Sequence, residues 1–331
     1  MSREINGCLF CQKEIQVPSQ DHIFPAFLGG KRKIVVCKLC NDYFGHSIEA
    51  AAAASLRPIQ VILSSGGVPL SAAPAVWKSA CSVNGEKLDF YVSDTGMAPR
   101  LARPTIHQDA DGNFKRGQFR NIEEAQDAMK RLKEKGKLSP TARLEEVIVP
   151  EMRFRNLEVK MSFRPELRRT VLKMAISLAS LLPEFELSEV HEGRLFLMYD
   201  PKSEAVNCVR MDGANCASLD TQREPLNHLL YVERVRGRVQ GAVQLFGGVQ
   251  LFCDLGRCDE KKPAKAVLAS LDPITGEERF AERAAIGLDY PRMATEDELR
   301  DLCGERIGRM MKDAVERGSQ GLEMNVKSID R

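Results

Sequence analysis

Two closely spaced pairs of cysteines constrain this chain more than any other feature. Cys8 and Cys11 make one C-x-x-C, Cys37 and Cys40 a second, and residues 12–36 lie between them. Each C-x-x-C turn aims two sulfurs at one point, and two such turns close a tetrahedral thiolate site whose usual occupant is Zn²⁺. Four thiolates leave no open coordination position, so the expected Zn²⁺ is structural. A finger of about 50 residues buries little core of its own, which is why a metal staple suits it. A disulfide framework goes with exported chains. The N-terminus, MSREINGC, carries no charged-then-apolar leader, so the chain is expected in the reducing cytoplasm.

The stretch between the pairs holds Asp21-His22-Ile23-Phe24-Pro25, and Asn41 follows the second pair directly. Asp-His sets a hard oxygen ligand beside an imidazole. Neighbouring side chains on a strand point to opposite sides, so Asp21 can bind a cation while His22 faces a substrate. Pro25 and then Gly29-Gly30 break the strand and open a loop. Asn41 is expected to start a helix through the alanines at 50–54, with N-capping as its alternative role. His46 stands five residues after Asn41, near the same helical face. It is either a ligand or phosphate contact, or a partly buried helix residue.

The segment from Cys8 to His46 resembles the HNH endonuclease family, the ββα-metal finger, in the zinc-stapled form that reads C-x-x-C, D-H-I-x-P, G-G, C-x-x-C-N. The resemblance implies a divalent-metal phosphodiesterase with one catalytic cation, Mg²⁺ or Mn²⁺. By the same resemblance His22 is the general base. Asp21 and Asn41 are the metal ligands, and His46 is a candidate third ligand. Cys8, Cys11, Cys37 and Cys40 hold the structural zinc. An imidazole titrates near neutrality, and a carboxylate with an amide oxygen suits a hard cation, so the chemistry agrees with those roles. The family's middle asparagine has no counterpart among residues 23–40. Arg32 or Lys33 stands about where it would fall. With Lys31 these form a candidate nucleic-acid-binding cluster.

The whole chain has 331 residues, enough for two or three domains, and a net charge of +2. A charge so close to zero excludes a global basic field, so nucleic acid must be met by local patches. No stretch approaches the ~20 apolar residues of a membrane helix. The expected fold class is α+β. An HNH finger over 1–60 precedes an α+β region over 61–190 with a core helix at 165–182, and a β-rich region over 191–331 is closed by a helix at 295–318.

Arg57-Pro58 is expected to end the finger helix, with strands over most of 59–120, including IQVIL and KLDFYV. Trp77 reads as core. Residues 121–137 read as a helix, acidic at its start and basic at its end as the macrodipole favours, with Gly136 as C-cap. Strands are expected at 145–149 and 157–163. On the 165–182 helix, Leu167, Val171, Met174, Ala175, Leu178 and Leu182 form one stripe, and Arg168, Arg169 and Lys173 lie off it. RLFLMY reads as a strand, and residues 229–255 as a three-strand meander with turns near Arg236-Gly237 and Gly247-Gly248. Arg234, Arg236 and Arg238 would share one face if their strand were continuous. Cys253 and Cys258, with Cys208 and Cys216, are spaced poorly for a second zinc. Thr295 and Glu298 make a capping box.

The leading expectation is therefore an HNH endonuclease acting on nucleic acid, DNA first, in a setting such as restriction or phage defence, with a homo-oligomer or protein partner open. The alternatives are a zinc-stapled nucleic-acid- or protein-binding module without catalysis, and a nuclease that waits for a partner or ligand on the C-terminal region.

Overall fold

A computed structural model gives the fold. It describes residues 7–65, 68–72, 76–83, 86–93, 96–101, 105–108, 111, 113–119, 122–138, 165–198, 209–211 and 226–288. The chain falls into two compact units, one made of Met1–Ala73 with Leu157–Arg331, the other of Pro74–Asn156. The second unit thus lies inside the 61–190 stretch, and the finger belongs to the same unit as the C-terminal region.

The finger is a short antiparallel hairpin, β1 (Pro18–His22) against β2 (Lys33–Cys37), followed by α1 (Lys38–Tyr43). Between the strands the chain makes a 3₁₀ turn at Ala26–Leu28 that ends on Gly29, at φ 97°. Only glycine takes that conformation freely. Helix α1 starts on Lys38, and its N-cap is Cys37, whose sulfur accepts from the Cys40 amide. Asn41 therefore sits inside the helix instead of starting it. The helix continues through a π turn, Phe44–Glu49, into α2 (Ala50–Ser65).

Pro58 does not end α2, and IQVIL is helical where a strand was expected. Proline removes one backbone hydrogen bond from a helix interior. Here Leu56, Ile59, Ile62 and Leu63 are buried on the same helix, and that burial outweighs one missing bond.

The body of this unit is a six-stranded antiparallel sheet in the order β13-β12-β9-β10-β11-β8. The strands are β8 (Val209–Met211), β9 (His228–Val235), β10 (Arg238–Leu245), β11 (Val249–Arg257), β12 (Lys265–Leu271) and β13 (Glu278–Arg283). The expected meander is β9-β10-β11. Its first turn is Arg236-Gly237, with φ 52° and 74°, the left-handed pair that matches strand twist in a two-residue hairpin. That turn breaks the arginine stripe: Arg234 is buried on Glu189, while Arg238 bonds Asp254.

Helix α4 (Pro165–Ala179) packs across the sheet, and its whole length from Val171 is buried. RLFLMY lies largely in α5 (His191–Met198), a helix and not a strand. Leu230, Val232, Val243, Leu251 and Leu255 of the sheet, Val171 and Leu178 of α4, and Cys8, Phe10, Phe44 and Ile48 of the finger all belong to one core.

The other unit holds a three-stranded antiparallel sheet of β3 (Val76–Val83), β4 (Glu86–Ser93) and β5 (Gly96–Leu101). It also holds a hairpin of β6 (Thr105–Gln108) and β7 (Phe114–Gln118), and α3 (Ile122–Glu134). Trp77 packs 6.0 Å from Phe90. Gly136, at φ 64°, follows α3. The mixture of helices with antiparallel sheets is the α+β class expected. The strands expected at 145–149 and 157–163, the 295–318 helix and its Thr295–Glu298 cap lie outside the described residues. No described helix is long and apolar enough to cross a membrane.

Candidate functional site

The first knuckle is a tight turn in which the Gln12 amide donates to the Cys8 carbonyl and the Cys8 amide to Lys13, each at 2.8 Å. The second is made where β2 runs into α1. Its amides serve the sulfurs: Cys37 N–H points at Cys8 Sγ and Cys40 N–H at Cys37 Sγ, both at 3.4 Å. All four Sγ atoms lie within 4.8 Å of one another, and Cys11 Sγ is 3.7 Å from Cys37 Sγ. A tetrahedron of 2.3 Å Zn–S bonds has edges of about 3.8 Å, so the donor set fits a closed structural zinc. The Cys40 thiol donates to Cys8 and, with backbone amides, holds the Cys8 thiol down at about 4 against burial. The Cys40 thiol, as donor to Cys8 and by burial, is pushed up. Arg194 of α5 donates through Nε to the Phe10 carbonyl inside the first knuckle at 2.9 Å, which ties the body to the staple.

Among the described residues this is the only place where three or more thiol, imidazole or carboxylate groups converge as metal ligands. Cys253 and Cys258 make no second site there, and Cys208 and Cys216 lie outside the described residues.

On β1 the side chains alternate as expected. Asp21 turns inward and is 3 % exposed, while His22 is half-buried on the other face, opposite Lys33 of β2. Asp21 Oδ1 lies 2.5 Å from the Lys173 ammonium, whereas Oδ2 is buried with no hydrogen-bond partner. Burial pushes the Asp21 carboxyl up, opposed by Lys173. Burial pushes the His22 imidazole down, helped by the charges of Lys33 and Lys173. No described residue hydrogen-bonds that ring.

Asn41 reaches β1 from α1, its amide nitrogen 2.8 Å from Ser19 Oγ and 3.3 Å from the Gln20 carbonyl. Ser19 and Asp21 share a strand face, so Asn41 stands at the inner face that carries Asp21. With its nitrogen bonded to β1, the amide oxygen is the end left for a cation. A carboxylate oxygen without a hydrogen-bond partner and an amide oxygen are the kinds of donor that a hard cation such as Mg²⁺ or Mn²⁺ takes.

The remaining candidates are spread around this point. His46 is exposed, and its Nδ1 is 2.8 Å from the Asp42 carbonyl one turn back. The backbone amides of Lys31 and Arg32 both donate to Glu278, at 2.9 and 2.7 Å. The Arg32 guanidinium lies over the Phe280 ring at 4.2 Å. Lys33 is exposed on the His22 face.

Two residues at the site gave no signal in the sequence. Lys173 of α4, off the apolar stripe, is fully buried. Its ammonium meets Asp21, the His22 carbonyl at 3.0 Å, and Glu49 Oε1 at 2.5 Å. Glu49 closes the π turn. The only local hint is a lysine flanked by Leu172 and Met174, both buried.

Comparison with known proteins agrees with the finger geometry. Neither a curated protein nor a solved structure matches the chain. The family model described as HNH endonuclease matches residues 8–57, which span both knuckles, β1, β2, α1 and the first half of α2. Over that segment, which also holds the four convergent thiols and the Asp-His strand, the chain is similar to the HNH endonuclease family.

Proposed function

We propose that the finger is the active site of a metal-dependent endonuclease that hydrolyses phosphodiester bonds of nucleic acid, DNA first. The observation that carries this reading is the Asp-His strand itself: His22 is half-buried on one face, and Asp21 turns inward with its Oδ2 buried and bare. His22 is the general base: its imidazole takes a proton from water at cellular pH. The water oxygen then bonds to phosphorus as the bond to the leaving 3′ oxygen breaks. A Mg²⁺ or Mn²⁺ held by Asp21 and Asn41 would supply positive charge for the phosphate and the leaving oxygen. Lys33, beside His22, is placed to meet a phosphate of the strand being cut, with Lys31 and Arg32 farther along the same loop. His46, exposed on the helix, is at most a phosphate contact. A role in restriction or phage defence rests on the kind of system in which such domains occur.

A second reading has an observation of its own. The Lys173 ammonium already neutralises one oxygen of Asp21, and no described residue orients the His22 ring. Both favour a nucleic-acid-binding module that does not cut. Plasmid nicking with Mg²⁺ or Mn²⁺, with EDTA as control, separates the two. The wild-type protein is expected to nick. His22→Ala, with its zinc content unchanged, is expected to lose about 10²–10⁴ in rate. Equal nicking by His22→Ala would remove the base assignment, and binding without nicking in any metal would leave the module.

A further inference from the structure

In the unit that does not hold the finger, α3 ends on a concentration of positive charge. From Lys130 to Lys137 the chain carries Lys130, Arg131, Lys133, Lys135 and Lys137 against one acid, Glu134. That is a net charge of +4 in eight residues, where the whole chain has +2. All five cationic side chains are exposed. Asp127 and Glu134 stand four residues from Arg131 and Lys130, yet among the described residues no salt bridge joins either pair. None of the five side chains makes a hydrogen bond there.

Capping does not account for them. A helix C-terminus favours cations, and its last carbonyls can take lysine donors. Here the backbone closes those carbonyls. Gly136, at φ 64°, donates its amide to the Lys133 carbonyl at 3.0 Å, and the Lys137 amide donates to Leu132 at 2.8 Å. These are the paired bonds of a glycine-terminated helix. The exit is fixed in turn, because the Phe114 amide at the start of β7 donates to the Lys137 carbonyl at 3.0 Å. The cations therefore stand on a hydrogen-bonded corner and repel one another. Arg131 and Lys135 are four apart, Lys130 and Lys133 three apart, and like charges at those spacings cost a helix stability. An anionic partner would relieve that cost.

At 1.5 Å rise per residue the stretch covers about 10 Å, the length of about three phosphates along one DNA strand. A membrane surface matches it poorly, since interfacial helices set large apolar side chains beside their cations. On α3 Ala125 is buried and Ala128, Met129 and Leu132 are half-buried, while the exposed Ile122 lies at the other end of the helix. We infer that the C-terminal turn of α3 is a binding surface for the phosphate backbone of duplex DNA, in addition to the finger. The class of partner rests on the nuclease reading of the finger, but the test needs no cleavage.

Binding of the full-length protein to a labelled mixed-sequence DNA duplex is followed by fluorescence anisotropy over a range of salt, without added divalent metal. Wild type is expected to bind with an affinity that falls steeply with salt. A five-site variant, Lys130→Gln, Arg131→Gln, Lys133→Gln, Lys135→Gln and Lys137→Gln together, is expected to flatten the log–log salt slope by about 3 and to weaken binding on the order of a hundredfold at low salt. His22→Ala is expected to keep the wild-type slope. Glu134→Gln removes the one opposing charge and is expected to bind severalfold tighter.

A five-site variant with wild-type slope and affinity would overturn the inference and leave the nuclease reading standing. A flattened slope in a protein whose wild type never nicks would uphold the surface and remove the nuclease reading alone. A wild type that binds no duplex would overturn the inference. So would a wild type that floats with phosphatidylserine vesicles where the five-site variant does not, with the DNA slope the same in both, because the surface would then face a membrane. Should the five-site variant fail to fold, Glu134→Gln decides alone, and unchanged affinity there overturns the inference.

Discussion

His228 is fully buried on β9, edge-on to Phe246 at 4.4 Å between ring centroids. Its Nδ1 accepts the Phe246 amide at 3.1 Å, so the proton is on Nε2, which has no partner. Burial, opposed only by the charge of Asp272, pushes its imidazole from near 6.5 down to about 3. The unfolded chain therefore binds a proton below about pH 6.5 that the folded chain refuses. Stability from this ring is full above that pH and falls as pH drops toward 3, by about 3 kcal/mol between pH 7 and 4. Urea unfolding across that range is expected to give a flatter acid response in His228→Asn, which keeps an acceptor near the Nδ1 position but does not titrate. An unchanged slope would assign the acid sensitivity elsewhere. Nothing local in the sequence marked His228. The cysteines and Asp-His were legible because spacing along the chain encodes their convergence. Gly30 was legible as a loop residue but not for its cause: a Cβ there would lie 1.8 Å from the Phe24 carbonyl oxygen.

At the level of elements, the helices departed most from what the sequence suggests. RLFLMY is short, apolar and without polar alternation, and such a run fits a strand or a buried helix equally well. The choice was made by packing. Gly193 of α5 brings the helix so close to β11 that a Cβ would meet Leu255 Cα at 3.2 Å. This approach carries Arg194 to the Phe10 carbonyl. The π turn at Phe44–Glu49 acts similarly, by shifting the helical phase so that Glu49 reaches Lys173. Inserted turns of this kind have no sequence period to read. Helix α5 has a testable duty toward the zinc. Arg194 is buried, and burial pushes its guanidinium down, opposed by the nearby Cys11 and Cys8. Arg194→Met keeps the stem's packing and removes both the bond to Phe10 and the charge. Zinc release to a chelating dye is expected to be about tenfold faster in that variant, the scale on which groups around a metal's ligands act. Release at the wild-type rate would mean that the knuckle holds its metal without help from the body.

For the whole molecule the decisive fact is that the finger has no core of its own. Phe10 packs edge-on to Phe44 at 4.6 Å, and both belong to the cluster that holds α4 and the inner face of the sheet. A boundary near residue 60 follows from the motif's length, since a motif carries no information about what packs beneath it. The π turn that carries Phe44 and Ile48 packs on α4, more than a hundred residues later, and no local pattern points to that partner. Zinc binding and stability of the body are therefore linked: a ligand that binds only the folded state stabilises everything that folds with it. Stripping zinc with a strong chelator is expected to loosen more than the two knuckles. Hydrogen exchange should speed up in α4 and in β9–β11 along with the finger, because the thiols that lose their metal stand in the same core as Val171, Leu178 and Leu251. Exchange confined to residues 8–46, with α4 and the sheet as protected as before, would mean that the finger is only tethered to the body. The Lys173 bridge would then hold no more than two independently stable parts together.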